Sequence, residues 1–145
     1  MFKHILLPTD GSNLSQAAIQ KGVQLAKSTK AKISGISVVP EQKYYLYQTG
    51  INVQEKDERA KHHKLQANRN LAVLEKAAQD AGVPCETHCE IGDHPYEAII
   101  RIAEKRGCDL IMMASHGRRG VTGLLLGSET QKVLTHSKIP VLVFR

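Results

Sequence analysis

The chain has no tryptophan, two phenylalanines and four tyrosines. An aromatic content of 4% leaves few platforms on which unpaired bases could stack, which weighs against a single-strand nucleic-acid binder. Long apolar runs are also missing. None approaches the roughly 18 residues of a membrane-spanning helix. The opening "MFKHILLPTD" turns polar too soon for a secretory leader, so a cytoplasmic protein is expected. Cysteine is sparse: Cys85, Cys89 and Cys108 are odd in number and form no CxxC pair, the usage of reduced thiols rather than of a disulfide framework. Cys85, His88 and Cys89 lie close together in sequence. In a strand, however, the two cysteines would face one way and His88 the other, and structural zinc takes about four converging ligands, so no metal site is expected.

The 145 residues, 41% of them apolar, suffice for one domain with one core. The net charge of +6 suits an anionic partner. Nucleic acid would be one such partner, but the basic residues are scattered. The densest run, "KDERAKHHK" at 56–64, mixes signs and reads as a solvated helix face.

Apolar periodicity orders the elements. "HILLP" is a short buried strand over 4–8. Ser12 then caps a helix reaching about residue 29, with Leu14, Ala17, Ala18, Gly22, Leu25 and Ala26 at helical spacing. "AKISGISVVP" is a β-branched strand stopped by Pro40. "EQKYYLYQTGIN" has no period and reads as a loop. A polar helix follows over about 53–81, with Ala60, Ala67, Leu71, Leu74 and Ala78 on one side and Gly82 as its stop. "PCETHCEI" alternates as an edge strand would. "GDHPYEAIIRIAEKRG" is a helix capped by Asp93, with Pro95 in its first turn and Gly107 at its end. "CDLIMMAS" is a continuous apolar run, as in a central strand covered on both faces. A helix over about 129–137 and the strand "IPVLVFR" finish the chain. Five strands alternating with four helices predict an α/β fold: a single doubly wound parallel sheet with helices on both faces.

Ligands of such sheets bind beyond the carboxyl ends of the strands, where strand order reverses. Two loops suit that place. One is "PTDGS" at 8–12. The other lies in "MMASHGRRGVTGLLLGSETQKVL", where Gly117, Gly120, Gly123 and Gly127 fall close together. Glycines let backbone N–H groups approach an anion, and a helix beginning near Ser128 adds unpaired N–H groups and partial positive charge. Arg118 and Arg119 add formal charge, and Ser128 a hydroxyl. The set suits a polyphosphate. It is neither GxxxxGK[ST] nor GxGxxG. Plainer roles stand beside this one. "SETQ" at 128–131 also reads as a capping box in which Ser128 bonds the Gln131 N–H, Gly120 and Gly123 serve turns, the arginines serve as surface charges, and Asp10 caps the first helix or organises a turn.

The chain resembles the universal stress proteins from end to end. "ILLPTDGS" is similar to their first strand and loop, and "LLLGSETQKVLTHSKIPVLVFR" to their last helix and strand. Their nucleotide-binding branch carries G-x2-G-x9-G-[ST]. Here Gly117 is followed at that spacing by Gly127 and Ser128, while Ala114 stands where the first glycine would fall. The resemblance implies a flavodoxin-like strand order 3-2-1-4-5 and ATP, with Mg²⁺, between the ends of the first and fourth strands. Position by position, it implies that Pro8, Thr9 and Asp10 border the adenosine and that Val38 offers backbone groups to adenine. Met113, Ala114, His116 and Gly117 would line the ribose and phosphate path, with Arg118 adding charge. Gly127, Ser128, Glu129 and Thr130 would hold phosphates. The carboxylate of Glu129 favours the helix dipole but repels phosphate, so it points to solvent or approaches Mg²⁺. A homodimer through Pro140–Arg145 is implied too, and a strongly apolar edge strand there would need covering.

Two functions remain from different classes: a stress or regulatory protein for which ATP is a ligand, and a slow ATP hydrolase or phosphotransferase. The second would use His116 as base, Arg118 or Arg119 for charge and Asp10 for Mg²⁺. These residues show no recognised catalytic spacing, and the binding protein is the expectation.

Overall fold

The computed structural model describes residues 1–41, 53–118 and 126–145. Along the chain run β1 (His4–Pro8), α1 (Asn13–Thr29), β2 (Lys32–Val39) and α2 (Val53–Ala81). There follow β3 (Cys85–Ile91), α3 (Pro95–Arg106), β4 (Leu110–Ala114), α4 (Ser128–His136) and β5 (Val141–Phe144). The strands form one sheet in the order β3-β2-β1-β4-β5, every neighbouring pair parallel. The expected order and class are both present.

Strand alternation divides the core between the two faces. Ile5, Leu7, Ile33, Leu110 and Met112 point one way and pack with Ile19 and Val23 of α1 and Leu74 and Ala78 of α2. Leu6, Ile36, Ile111 and Met113 point the other way and meet Ile99 and Ile102 of α3 and Val133 of α4. Each fully buried Ile or Leu contributes about 1.5–3 kcal/mol, which concentrates stability in β1, β2 and β4. The outer strands β3 and β5 contain no fully buried residue, as the alternation of β3 foretold and the apolar run of β5 did not.

Most helix ends follow the sequence signals. The Ser12 hydroxyl accepts the Ser15 amide at 3.3 Å. Gly82 and Gly107, with φ of +70° and +68°, close α2 and α3. Two caps differ from expectation. His94, not Asp93, precedes α3, and its side chain makes no capping bond; Pro95 occupies the first turn and keeps the residue before it out of helical backbone. Gly127, not Ser128, is the N-cap of α4. The Gln131 amide bonds to the Gly127 carbonyl at 3.0 Å, so Ser128 lies inside the first turn and the capping box does not form.

Candidate functional site at the strand switch point

Strand order reverses between β1 and β4, so the segments leaving these strands face each other at the carboxyl edge of the sheet. On the β1 side the turn is built by its own side chains. Thr9 is buried, and its hydroxyl oxygen accepts from the Gly11 amide at 3.2 Å and the Ser15 hydroxyl at 3.0 Å. Gly11 has φ +79°, a left-handed backbone that favours glycine. The carboxamide of Asn70, from α2, lies against it where any side chain would stand.

Asp10 joins the two loops. Its Oδ1 accepts the Ser12 amide at 2.9 Å and its Oδ2 accepts the Arg118 amide at 2.8 Å. Gly117 supplies the room, because a Cβ there would collide with Oδ2 of Asp10. Gly127 is a second close approach. Its amide donates to the Ser115 carbonyl at 2.6 Å, and an added Cβ would stand 3.1 Å from the His116 Cα. Both glycines at the expected spacing therefore let backbone and side chains pass near one another.

The remaining predicted residues divide into rim and support. Pro8 ends β1 and pairs with Ile36. Beyond that pair the Thr9 amide bonds the Ile36 carbonyl and β1 stops, while β2 continues to Val39. Alternation turns the N–H and C=O of Val38, like those of Ile36, toward the side that β1 has vacated. Met113 is a core residue beside Val133. Ala114 is buried at the end of β4 opposite Phe144. Its carbonyl accepts the hydroxyl of the buried Thr130 at 2.9 Å, which fastens α4 to β4. His116 is half-buried, and its Nδ1 lies 3.1 Å from the Ser115 hydroxyl. Arg118 and Ser128 are exposed. Helical bonding in α4 begins with the Gln131 amide, so the amides of Ser128, Glu129 and Thr130 have no partner within the helix.

Glu129 is engaged by a second helix. Its Oε2 accepts the Tyr96 amide at 2.9 Å, and its Oε1 lies 3.3 Å from the Lys132 ammonium. The carboxylate therefore complements the N-terminus of α3, doing for that helix what Asp93 was expected to do. Ser115, Thr9 with Ser15, and Asn70 were not singled out as supports. Only Asn70 left a legible signal, as a polar residue within the apolar stripe Ala67, Leu71, Leu74 and Ala78. Arg119, Gly120 and Gly123, and the tyrosine-bearing segment with Tyr44, Tyr45 and Tyr47, lie outside the described residues.

The fold is a doubly wound α/β domain in which the two loops and the N-terminus of α4 meet at the switch point, where such sheets take their ligands. The chain belongs to the universal stress protein family, whose pattern it matches over residues 1–145. A universal stress protein of Methanocaldococcus jannaschii is 32% identical, with 100% of this chain and 96% of that protein aligned. The solved structure of the M. jannaschii protein MJ0577 superposes with a TM-score of 0.81 at 29% identity, covering 99% of this chain and 96% of that one. Two more distant relatives share the fold. One is a universal stress protein solved in complex with cAMP, at TM-score 0.69, 23% identity and coverage of 99% and 97%. The other, from Archaeoglobus fulgidus and solved in complex with dAMP, has TM-score 0.70, 14% identity and coverage of 100% and 98%.

Proposed function

We propose that this universal stress protein binds ATP in the crevice between the β1 loop and the segment from β4 to α4. The observation that carries the reading is the meeting of Gly117 with Asp10, which sets one loop against the other beside the N-terminus of α4. The amides of Ser128, Glu129 and Thr130 and the Ser128 hydroxyl would take phosphate oxygens, with Arg118 adding charge. Val38 would offer its backbone to adenine, while Pro8, Thr9, Met113, Ala114, His116 and Gly127 would form or support the walls. The nucleotides held by the cAMP and dAMP complexes of relatives support the ligand class. Asp10 and Glu129 are engaged by backbone amides, so Mg²⁺ would arrive on the phosphates and keep water as its other ligands.

ATP would act here as a ligand that favours one conformation or one dimer state. The hydrolase alternative gains nothing from the geometry: Asp10 is a loop tie, and one nitrogen of His116 faces Ser115. The test is nucleotide chromatography after denaturing the purified protein, with titration calorimetry on the nucleotide-free form. A variant sharpens it. Ser128→Asp places a carboxylate in the first turn of α4, which suits the helix dipole and opposes phosphate. Its ligand-free melting temperature should hold or rise, while ATP affinity falls by about tenfold or more. Equal ATP affinity in the variant would remove the phosphates from α4, and no binding to the wild type would remove the nucleotide.

A further inference from the structure

Helix α2 has two halves. No residue from Val53 to Leu65 is buried, and Val53 and Leu65 are 72% and 57% exposed. Burial begins at Ala67 and continues through Asn70, Leu71, Leu74 and Ala78. Asn70 is the one polar side chain in that stripe, only 8% exposed, on a helix whose other buried positions are Ala and Leu. Burying an amide without a purpose costs more than burying a leucine of similar size.

Its surroundings show the purpose. The Asn70 carboxamide stands against Gly11 where a Cβ would be, Oδ1 foremost, and its Oδ1 accepts Gln66 Nε2 at 3.1 Å. Gln66 thereby sets the rotation of the carboxamide, and the carboxamide sets how far the Gly11 turn settles toward α2. The residues on either side of Gly11 are Asp10 and Ser12. Asp10 takes the Ser12 amide on one oxygen and the Arg118 amide on the other. A turn that shifts by a fraction of an ångström moves the carboxylate on which the opposite loop hangs.

We infer that Asn70 is a positioning residue of the crevice: with Gln66 it braces the Asp10–Gly11–Ser12 turn from α2, and couples occupancy of the crevice to the point where α2 leaves the domain and becomes exposed. The inference concerns the site proposed for ATP and rests on that reading only for its affinity arm. Asn70 touches the loop and not the ligand. It acts through Asp10.

Two variants test it. Asn70→Ala removes the brace. Gln66→Ala leaves Asn70 in place but frees its rotation, at a half-buried position outside the apolar stripe. In the nucleotide-free protein, hydrogen exchange at the Ser12 and Arg118 amides should quicken by about five- to tenfold in both variants, the scale of one weakened hydrogen bond. Exchange at Leu74, in the packed half of α2, should not. ATP affinity should fall by about the same factor, and in the wild type ATP should slow exchange over residues 60–70. A merely structural role would lower the melting temperature of Asn70→Ala while leaving affinity and the Ser12-to-Leu74 exchange ratio unchanged, and that result overturns the inference. The exchange arm needs no ligand, so a wild type that binds no ATP sinks the proposed function and still leaves the role of Asn70 decided.

Discussion

Asp10 spends its carboxylate on backbone amides from both sides of the crevice, and Gly117 is the residue that allows it. Gly117→Ala should drive a methyl group into that carboxylate and part the tie to Arg118. The expected cost is about 1–2 kcal/mol in urea unfolding, from a lost charge-assisted bond and local strain. Gly92→Ala is the control, since an added Cβ there meets nothing within 4 Å, and a cost at Gly117 no larger than the control would discard the account. The spacing of Gly117, Gly127 and Ser128 was visible in the sequence because it is local and patterned. The partner of Gly117 was not, because the Asp10–Arg118 bond joins residues 108 apart and no one-dimensional period records it. The orientation of Glu129 was hidden for the same reason: the amide it serves belongs to another helix.

The elements themselves were largely readable, since burial on one or both faces leaves a period in the apolar residues. The two misplaced caps, Asp93 and Ser128, each lie one residue from the observed cap, a difference settled by Pro95 and by the bond of the Gly127 amide to the Ser115 carbonyl rather than by capping preference. What periodicity could not show is the polar link through the inner sheet. His4 of β1 lies 2.8 Å from the Ser34 hydroxyl of β2, which donates to Glu86 of β3 at 2.9 Å. Burial first, and then the charge of Lys32, hold the His4 pKa below its ordinary 6.5, against the pull of Glu86, the Arg106 carbonyl and Asp109. A depressed folded pKa means that the unfolded chain binds the proton more readily. The contribution of His4 is therefore complete above 6.5 and is lost as pH falls through the folded value. Urea midpoints between about pH 7.5 and pH 5 should drop less steeply in His4→Asn than in the wild type. Identical slopes would exclude His4 as a source.

At the scale of the molecule, the sheet leaves β5 on an edge. It is four residues long, with Leu142 39% exposed and backbone groups that another chain could meet. A homodimer through Pro140–Arg145 should show in sedimentation as twice the chain mass, and Leu142→Lys should weaken it by about tenfold or more with the monomer fold retained. A wild type that sediments as a monomer at tens of micromolar would end that proposal. The parallel class was legible from the alternation of elements and the strand order from the family resemblance, whereas the function of an edge depends on a second molecule that one chain does not encode in its own periodicity.

The register between β1 and β4 is short, pairing Ile5 with Leu110 and Leu6 with Ile111, whereas β2 and β3 are matched from Ile33–Cys85 to Val39–Ile91. An aspartate stands at each end of that short seam. Asp109 takes the amides of Lys3 and His4 at 2.8 Å and 3.0 Å, and Asp10 takes the amide of Arg118 at 2.8 Å. The domain is thus pinned by carboxylates at both ends of a narrow backbone joint, with the two cores bridging it between. Pulled apart across the sheet in a force experiment, it should open along this line first, and anything gripped by both loops would raise the load at which it tears.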